Sequence, residues 1–196
     1  MNPAESLAYS GQPGIVSYRI DKNDAIAFVN PEWDRFAISN SAEGLTGEKV
    51  ISRSLWDFIG DLTTRHLYQE ILARVRAGRE VRFPFRCDSP DCRRFLEMQM
   101  RVTEGAGVEF QVLTLSIEPR PAMALLLQSQ RRSEVMLNMC AWCKKIPIGD
   151  RWVEIEEAVA ALQLFASAEL PRVSHGICGA CEQQMFGIIS SERAVS

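Results

Sequence analysis

The sequence has no run of about 18 apolar residues, the length that marks a membrane-spanning helix, so membrane insertion by helix is not expected. Its opening, MNPAESLAYSGQPG, lacks a basic stretch followed by an apolar one, so no secretory leader is read there. It also lacks any surplus of positive charge. The formal net charge is −3, which gives no electrostatic pull toward nucleic acid or anionic lipid. There is no Gly-rich phosphate loop, no His-Glu-x-x-His or His-x-Glu metal-hydrolase motif, no kinase histidine box with an ATP-binding glycine loop, and no cyclase signature. No catalytic residues are therefore assigned, and the chain is expected not to be an enzyme. The absence of internal repeats and low-complexity tracts leaves an ordinary globular sequence, 46% apolar, able to bury a core.

The pattern present is that of an α+β protein. Residues 1–12 are small and polar and are expected to be a disordered N-terminus. GIVSYRI (14–20) and AIAFVN (25–30) read as two strands around the turn DKND. Asn30 and Pro31 then form an N-cap and first helical position. Asp61 is placed to cap a helix over 62–77 that carries Leu67, Tyr68, Ile71, Leu72 and Val75 on one face and stops at Gly78. VRFPFRC and CRRFLEMQMRV flank DSPD as a hairpin, followed by a third long strand over 107–119. Period-two alternation puts Val81, Phe83, Phe85 and Cys87 on one face of the hairpin. Pairing Cys87 with Cys92 brings Cys92, Leu96, Met98 and Met100 to that same face. After EPRP, residues 120–137 are expected to form a connector helix. RWVEIEEAVAALQLFAS, with Trp152, Ile155, Val159, Leu162 and Phe165 at helical spacing, reads as a further amphipathic helix. Residues 191–196 are a short tail.

Six cysteines in a chain without a leader favour metal or redox chemistry over a disulfide framework. Four of them form two hooks, Cys140-x2-Cys143 and Cys178-x2-Cys181, separated by 34 residues. Two such hooks offer four thiolates to one ion, the closed tetrahedral set that structural zinc prefers. A module of this size gains folding free energy from the metal, on the order of 10 kcal/mol in small zinc modules. His175, three residues before Cys178, is a fifth candidate, either as an alternative ligand or as a neighbour that orients the thiolates. Four thiolates leave no open coordination position, so a catalytic metal is not expected. Cys87 and Cys92, if directly opposed beside the hairpin loop, form a candidate reversible redox pair. The other reading of those two is a pair of small buried residues at a sheet end.

Residues 14–119 resemble a PAS domain, on GIVSYRIDKNDAIAFVNPEWDRFA, GEKVISRSLWDFI and YQEILARVRAGREVRFPFRC. The resemblance implies a five-stranded antiparallel sheet with flanking helices around a small cavity, and a role in sensing or dimerisation. Residues 138–186 resemble a C-terminal cysteine module of bacterial signalling proteins, on CAWCKKI, Trp152, EIEEAV and SHGICGAC, with Gly179 where that module usually carries Pro. Three cofactor questions follow. A flavin photosensor needs a reactive cysteine on a helix after the second strand, and no cysteine precedes Cys87. Haem-binding PAS domains ligate iron through a histidine on the long helix, where His66 lies. With Leu67 at zero, however, the apolar face centres near about 70° and His66 falls near about 260°, away from the core. A small organic ligand would be lined by Phe83, Phe85, Leu96, Met98 and Met100, residues that equally read as plain sheet core.

The expected architecture is a PAS-like domain over 13–119, the connector, and a helical zinc-ribbon-like module over 138–190. The expected function is that of a cytoplasmic, bacterial-type signalling or regulatory protein. It acts by protein–protein contact or as a homodimer, with structural zinc and without nucleic acid or membrane as partner. A redox or metal sensor built on the cysteine pairs, and a haem sensor, are the alternatives. The module carries five Lys/Arg against seven Asp/Glu over 138–196, which speaks against a DNA-binding zinc protein.

Overall fold

The computed structural model describes residues 14–127, 129–164 and 169–191. The expected disordered N-terminus, the tail beyond Ser191 and Phe165 fall outside them. Five strands, β1 (Val16–Ile20), β2 (Ile26–Val29), β3 (Val81–Arg86), β4 (Cys92–Val102) and β5 (Val108–Pro119), form one antiparallel sheet in the order β2-β1-β5-β4-β3. Between β2 and β3 run α1 (Pro31–Ser39), α2 (Gly47–Val50), α3 (Leu62–Arg76) and two short 3-10 turns. This is the five-stranded PAS-like sheet with flanking helices that the sequence implied.

Local signals set the helix ends. The Asn30 side chain accepts from the amide of Trp33 at 3.1 Å, and Pro31 occupies the first turn of α1. Asp61 Oδ1 accepts from the Thr64 amide at 2.7 Å at the start of α3, and Gly78 ends the helix with φ +90°. The α3 face expected to be apolar buries Leu67, Ile71, Leu72 and Val75 against the sheet. Each such side chain contributes roughly 1.5–3 kcal/mol of burial. His66 is exposed on the opposite side of the helix.

The hairpin register differs from expectation. It runs from Ser89↔Cys92 to Val81↔Met100, because the loop is the two residues Pro90 and Asp91, not four. Cys87 therefore faces Arg94, whose carbonyl accepts its amide at 3.1 Å. The Cys92 thiol lies 3.0 Å from Ser89 Oγ. A shift of two residues keeps the side chains on the expected face but removes the direct opposition on which the Cys87–Cys92 redox pair rested.

The connector helix is also corrected. One 3-10 turn at Ala124–Leu126 leads into a strand, β6 (Arg132–Cys140). Val135, Leu137 and Met139 alternate along it, and it pairs in parallel with β9 (Leu170–Gly176). A partner strand available in the fold decides this segment against its local helical tendency. The chain between these strands folds as the hairpin β7 (Ile146–Ile148) and β8 (Arg151–Val153), then α4 (Ile155–Ala161). Trp152 is accordingly a strand residue, paired with Pro147 across the Gly149-Asp150 turn, rather than part of the expected amphipathic helix. That helix is confined to seven residues, with Ile155 and Val159 buried and Leu162 exposed. A final helix, α5 (Gly179–Ser190), packs Met185 and Ile189 into the same core as α3 and the sheet. Among the described residues no helix is long and apolar enough to cross a membrane.

Candidate functional site

Parallel strands β6 and β9 explain the long spacer between the hooks. Parallel neighbours need a crossover of a dozen residues or more, and β7, β8 and α4 supply it. The register aligns Cys140 with Gly176, so the strand ends deliver both hooks to one place. The amide of Ala141, inside the first hook, donates to the carbonyl of Gly176 at 2.8 Å and ties the two together.

The ligating atoms of Cys140, Cys143, Cys178 and Cys181 all lie within 4.8 Å of one another. The Cys143 and Cys178 sulfurs are 3.7 Å apart. A tetrahedral ion with sulfurs at about 2.3 Å has sulfur–sulfur edges of about 3.8 Å, so the donor set fits zinc in both chemistry and spacing. Backbone amides complete the cradle. Cys178 N–H donates to Cys140 Sγ and Cys181 N–H to Cys178 Sγ, each at 3.4 Å. Cys178 is also the N-cap of α5, where the helix end favours negative sulfur.

Three of the thiols are shifted unequally by the hydrogen bonds among them. Hydrogen bonds from Cys143 and then Cys181 hold Cys140 far below the ordinary thiol range. Donating to Cys140 pushes Cys143 up to about 12, and Cys181 is raised for the same reason. His175 is not among the clustered donors. It is exposed by surface area but borders a neighbouring cavity, and partial burial, then Lys144, lowers its pKa.

That cavity, about 660 Å³, lies between the PAS-like body and the hooks. The body contributes Tyr18, Trp33, Thr64, Tyr68 and Phe85, and the cysteine segment contributes Ala141, Trp142, Ser174 and His175. Of the five pocket residues expected from sequence, only Phe85 lines it. Phe83, Leu96, Met98 and Met100 are buried in the sheet core, at most 5% exposed. Sequence reasoning missed the lining residues of β1 and the helices, among them Tyr18, Trp33, Thr64 and Tyr68, and also those at 141–142 and 174–175, which are remote in sequence and brought in by the parallel pairing. Trp142, between the first two thiols, is 5% exposed and packs against Tyr68 and Phe83 at ring distances of 5.6 and 6.2 Å.

A buried ion network secures the same seam. Arg86 binds Asp88 through two nitrogens, at 3.1 and 2.6 Å, and reaches Glu154 at 2.7 Å. Arg120 joins Asp88 at 3.1 Å, Glu156 at 3.3 Å and the Ser89 carbonyl at 2.7 Å. The hairpin is thereby fastened to the start of α4.

No protein-family model matches the chain, and no curated protein does. Among solved structures the chain is similar to the photoactive yellow protein domain of the sensor histidine kinase Ppr from Rhodospirillum centenum. The identity is 16% over 57% of this chain and 92% of that one, with a TM-score of 0.40. It is also similar to a sensory box sensor histidine kinase from Vibrio cholerae, 13% identical over 60% of this chain and 100% of that one, with a TM-score of 0.39.

Proposed function

We propose that the chain is a sensory or regulatory protein in which a PAS-like body and a structural zinc centre work as one unit. Its signal passes by contact, to a protein partner or a second copy, without an output enzyme of its own. The observation that carries this reading is Trp142: the residue between two thiolates is packed into the aromatic core of the PAS-like body. Cys140, Cys143, Cys178 and Cys181 would hold the zinc, which supplies a cross-link and no reactive position. A reducing compartment, the cytoplasm, suits four free thiols. Leu115, Ile117, Val135 and Met136 lie exposed and offer apolar surface for a partner.

The test is elemental analysis with an absorption spectrum on freshly purified protein, and light scattering with and without chelator. The expected result is one zinc per chain and no visible absorption. A Soret band would restore His66 as a haem ligand. Absence of metal, together with unchanged stability in Cys140→Ser, would remove the zinc centre. A second reading, a redox or metal sensor, draws on the partial exposure of Cys143 and Cys181. Zinc released by mild peroxide and regained on reduction would favour it.

A further inference from the structure

Strand β5 outruns one of its two neighbours. β1 begins at Val16, opposite Val112, so on this side β5 has no partner strand among the described residues from Leu113 to Pro119. On the other side β4 accompanies it throughout, down to the pair Cys92↔Pro119. Gly14, at φ +88°, takes the chain before β1 out of the ladder. Arg120 N–H donates to the Asp91 carbonyl at 2.9 Å, which draws the chain after β5 toward the hairpin loop. Both turns leave the edge clear, over a length of about 23 Å at about 3.3 Å per residue.

Edges of this kind are usually blunted by lysines, prolines or a covering element. Here the residues read Leu-Thr-Leu-Ser-Ile-Glu-Pro, without a Lys or Arg, and the proline comes last. Leu115 is 59% and Ile117 55% exposed, so both face solvent. The one blunting device is a bulge. Thr114 pairs with Leu96 and Ser116 with Phe95, which leaves Leu115 unmatched on β4, and the ladder then resumes.

An open edge takes another strand by main-chain hydrogen bonding, and the residue pattern of this one suits a second copy of the same chain. Antiparallel pairing about a twofold axis uses the whole edge in one register, centred on its middle residue, Ser116. Leu115 then lies opposite Ile117 of the second copy, Thr114 opposite Glu118, and Leu113 opposite Pro119. Apolar side chains meet apolar ones, and the only charge on the edge meets a hydroxyl. The two Glu118 carboxylates stand four positions apart along the strand, about 13 Å, beyond the screening length of about 8 Å at physiological salt. Each also has Arg93 of its own chain at 3.6 Å. A loose peptide would lose freedom on adding here, whereas two edges already held by β4 do not.

We propose that residues 113–119 of β5 are a self-pairing edge that joins two copies of the chain through one continuous sheet centred on Ser116. The contact is the same patch on both copies, so it closes at two and leaves no unpaired length of β5. This names the partner for the contact signalling proposed above and rests on that reading.

The test is sedimentation of the full-length zinc-loaded protein over a dilution series, with two double variants. Leu115→Lys with Ile117→Lys sets lysine against lysine twice per dimer. Leu115→Lys with Ile117→Glu sets lysine against glutamate twice, in this register alone. The wild type should be a dimer that dissociates on dilution. The first variant should raise the dissociation constant at least about tenfold, the factor that about 1.4 kcal/mol represents. The second should bring it back to within about threefold of the wild type and make it more sensitive to salt. Zinc content and circular dichroism should be alike in all three, which separates loss of pairing from loss of fold. The proposal is overturned if the wild type stays monomeric at its highest soluble concentration, if the lysine–lysine variant leaves the dimer intact, or if the lysine–glutamate variant fails to recover it. In the first case one zinc per chain would leave the proposed function standing, with another protein as the partner. A chain without zinc would remove the structural metal and leave the β5 result to stand by itself.

Discussion

The amide of Arg86 donates to the carbonyl of Trp142 at 2.7 Å. This one bond continues the edge strand β3 into the metal hook and fixes the indole over the ring of Tyr68. Through it, the position of Cys140 and Cys143 is set by the sheet as well as by their own cluster.

Trp142→Ala should therefore cost about 3–5 kcal/mol in urea unfolding, the range for removing a large buried aromatic. It should also speed zinc loss to EDTA. Trp142→Phe, which retains much of the ring contact, should cost less and hold zinc longer. Equal metal retention in all three proteins would mean that the indole has no part in seating the hook.

Asp88 is 2% exposed and serves Arg86 and Arg120, themselves 8% and 3% exposed. Asp88→Ala leaves two buried cations without their shared anion, and unfolding should show a loss of about 3–5 kcal/mol. A change under 1 kcal/mol, the size typical of an exposed pair, would show that water reaches the site.

Glu156 makes the same seam sensitive to acid. Burial raises its pKa, but its own backbone amide and Arg93 outweigh burial and hold it below the usual carboxylate value. A depressed folded pKa stabilises the fold above the unfolded value and loses that contribution as pH falls through the folded one. Stability of the native protein should thus decline below the ordinary glutamate range, about pH 4.3. Glu156→Gln should be less stable at neutral pH and show a shallower acid slope. Identical acid profiles for the two proteins would exclude this role.

Metal removal should act locally before it acts globally. Amides of β6 and β9, whose ends carry the hooks, should exchange hydrogen faster after chelation, while those of β4 and β5 stay protected. Uniform acceleration would make the metal a determinant of the whole fold.

Much of the PAS-like body was legible because its signals are local. As helix-end signals Asn30, Asp61 and Gly78 each act within a few residues, and the α3 stripe repeats at a helical period. The hairpin register was less so, since DSPD reads equally as a four-residue or a two-residue loop. Only the second keeps Ser89 and Cys92 paired. The four thiols were legible from spacing, but their setting was not. β6 needed a parallel partner more than thirty residues away, and the Gly149-Asp150 turn that ends any helix through Trp152 was a signal present in the sequence and outweighed by the apolar periodicity around it. His175 lies close to Cys178 in sequence, yet strand pairing turns it toward the cavity.

The Cys87 and Cys92 thiols offer a simple check on that register. Burial raises the Cys87 pKa, which lowers its reactivity. After mild oxidation, mass spectrometry should find the two unlinked. A Cys87–Cys92 disulfide in good yield would require a different hairpin.

The shared core has a practical consequence for anyone dividing this chain. A fragment ended at Pro119, where the sheet stops, would lose Trp142, Met185 and Ile189 from the cluster that holds Tyr68 and Phe83. It would present those aromatic faces to water as a sticky patch. The border suggested by sequence pattern and the border of cooperative folding are different cuts, and only the second yields a piece that stays in solution.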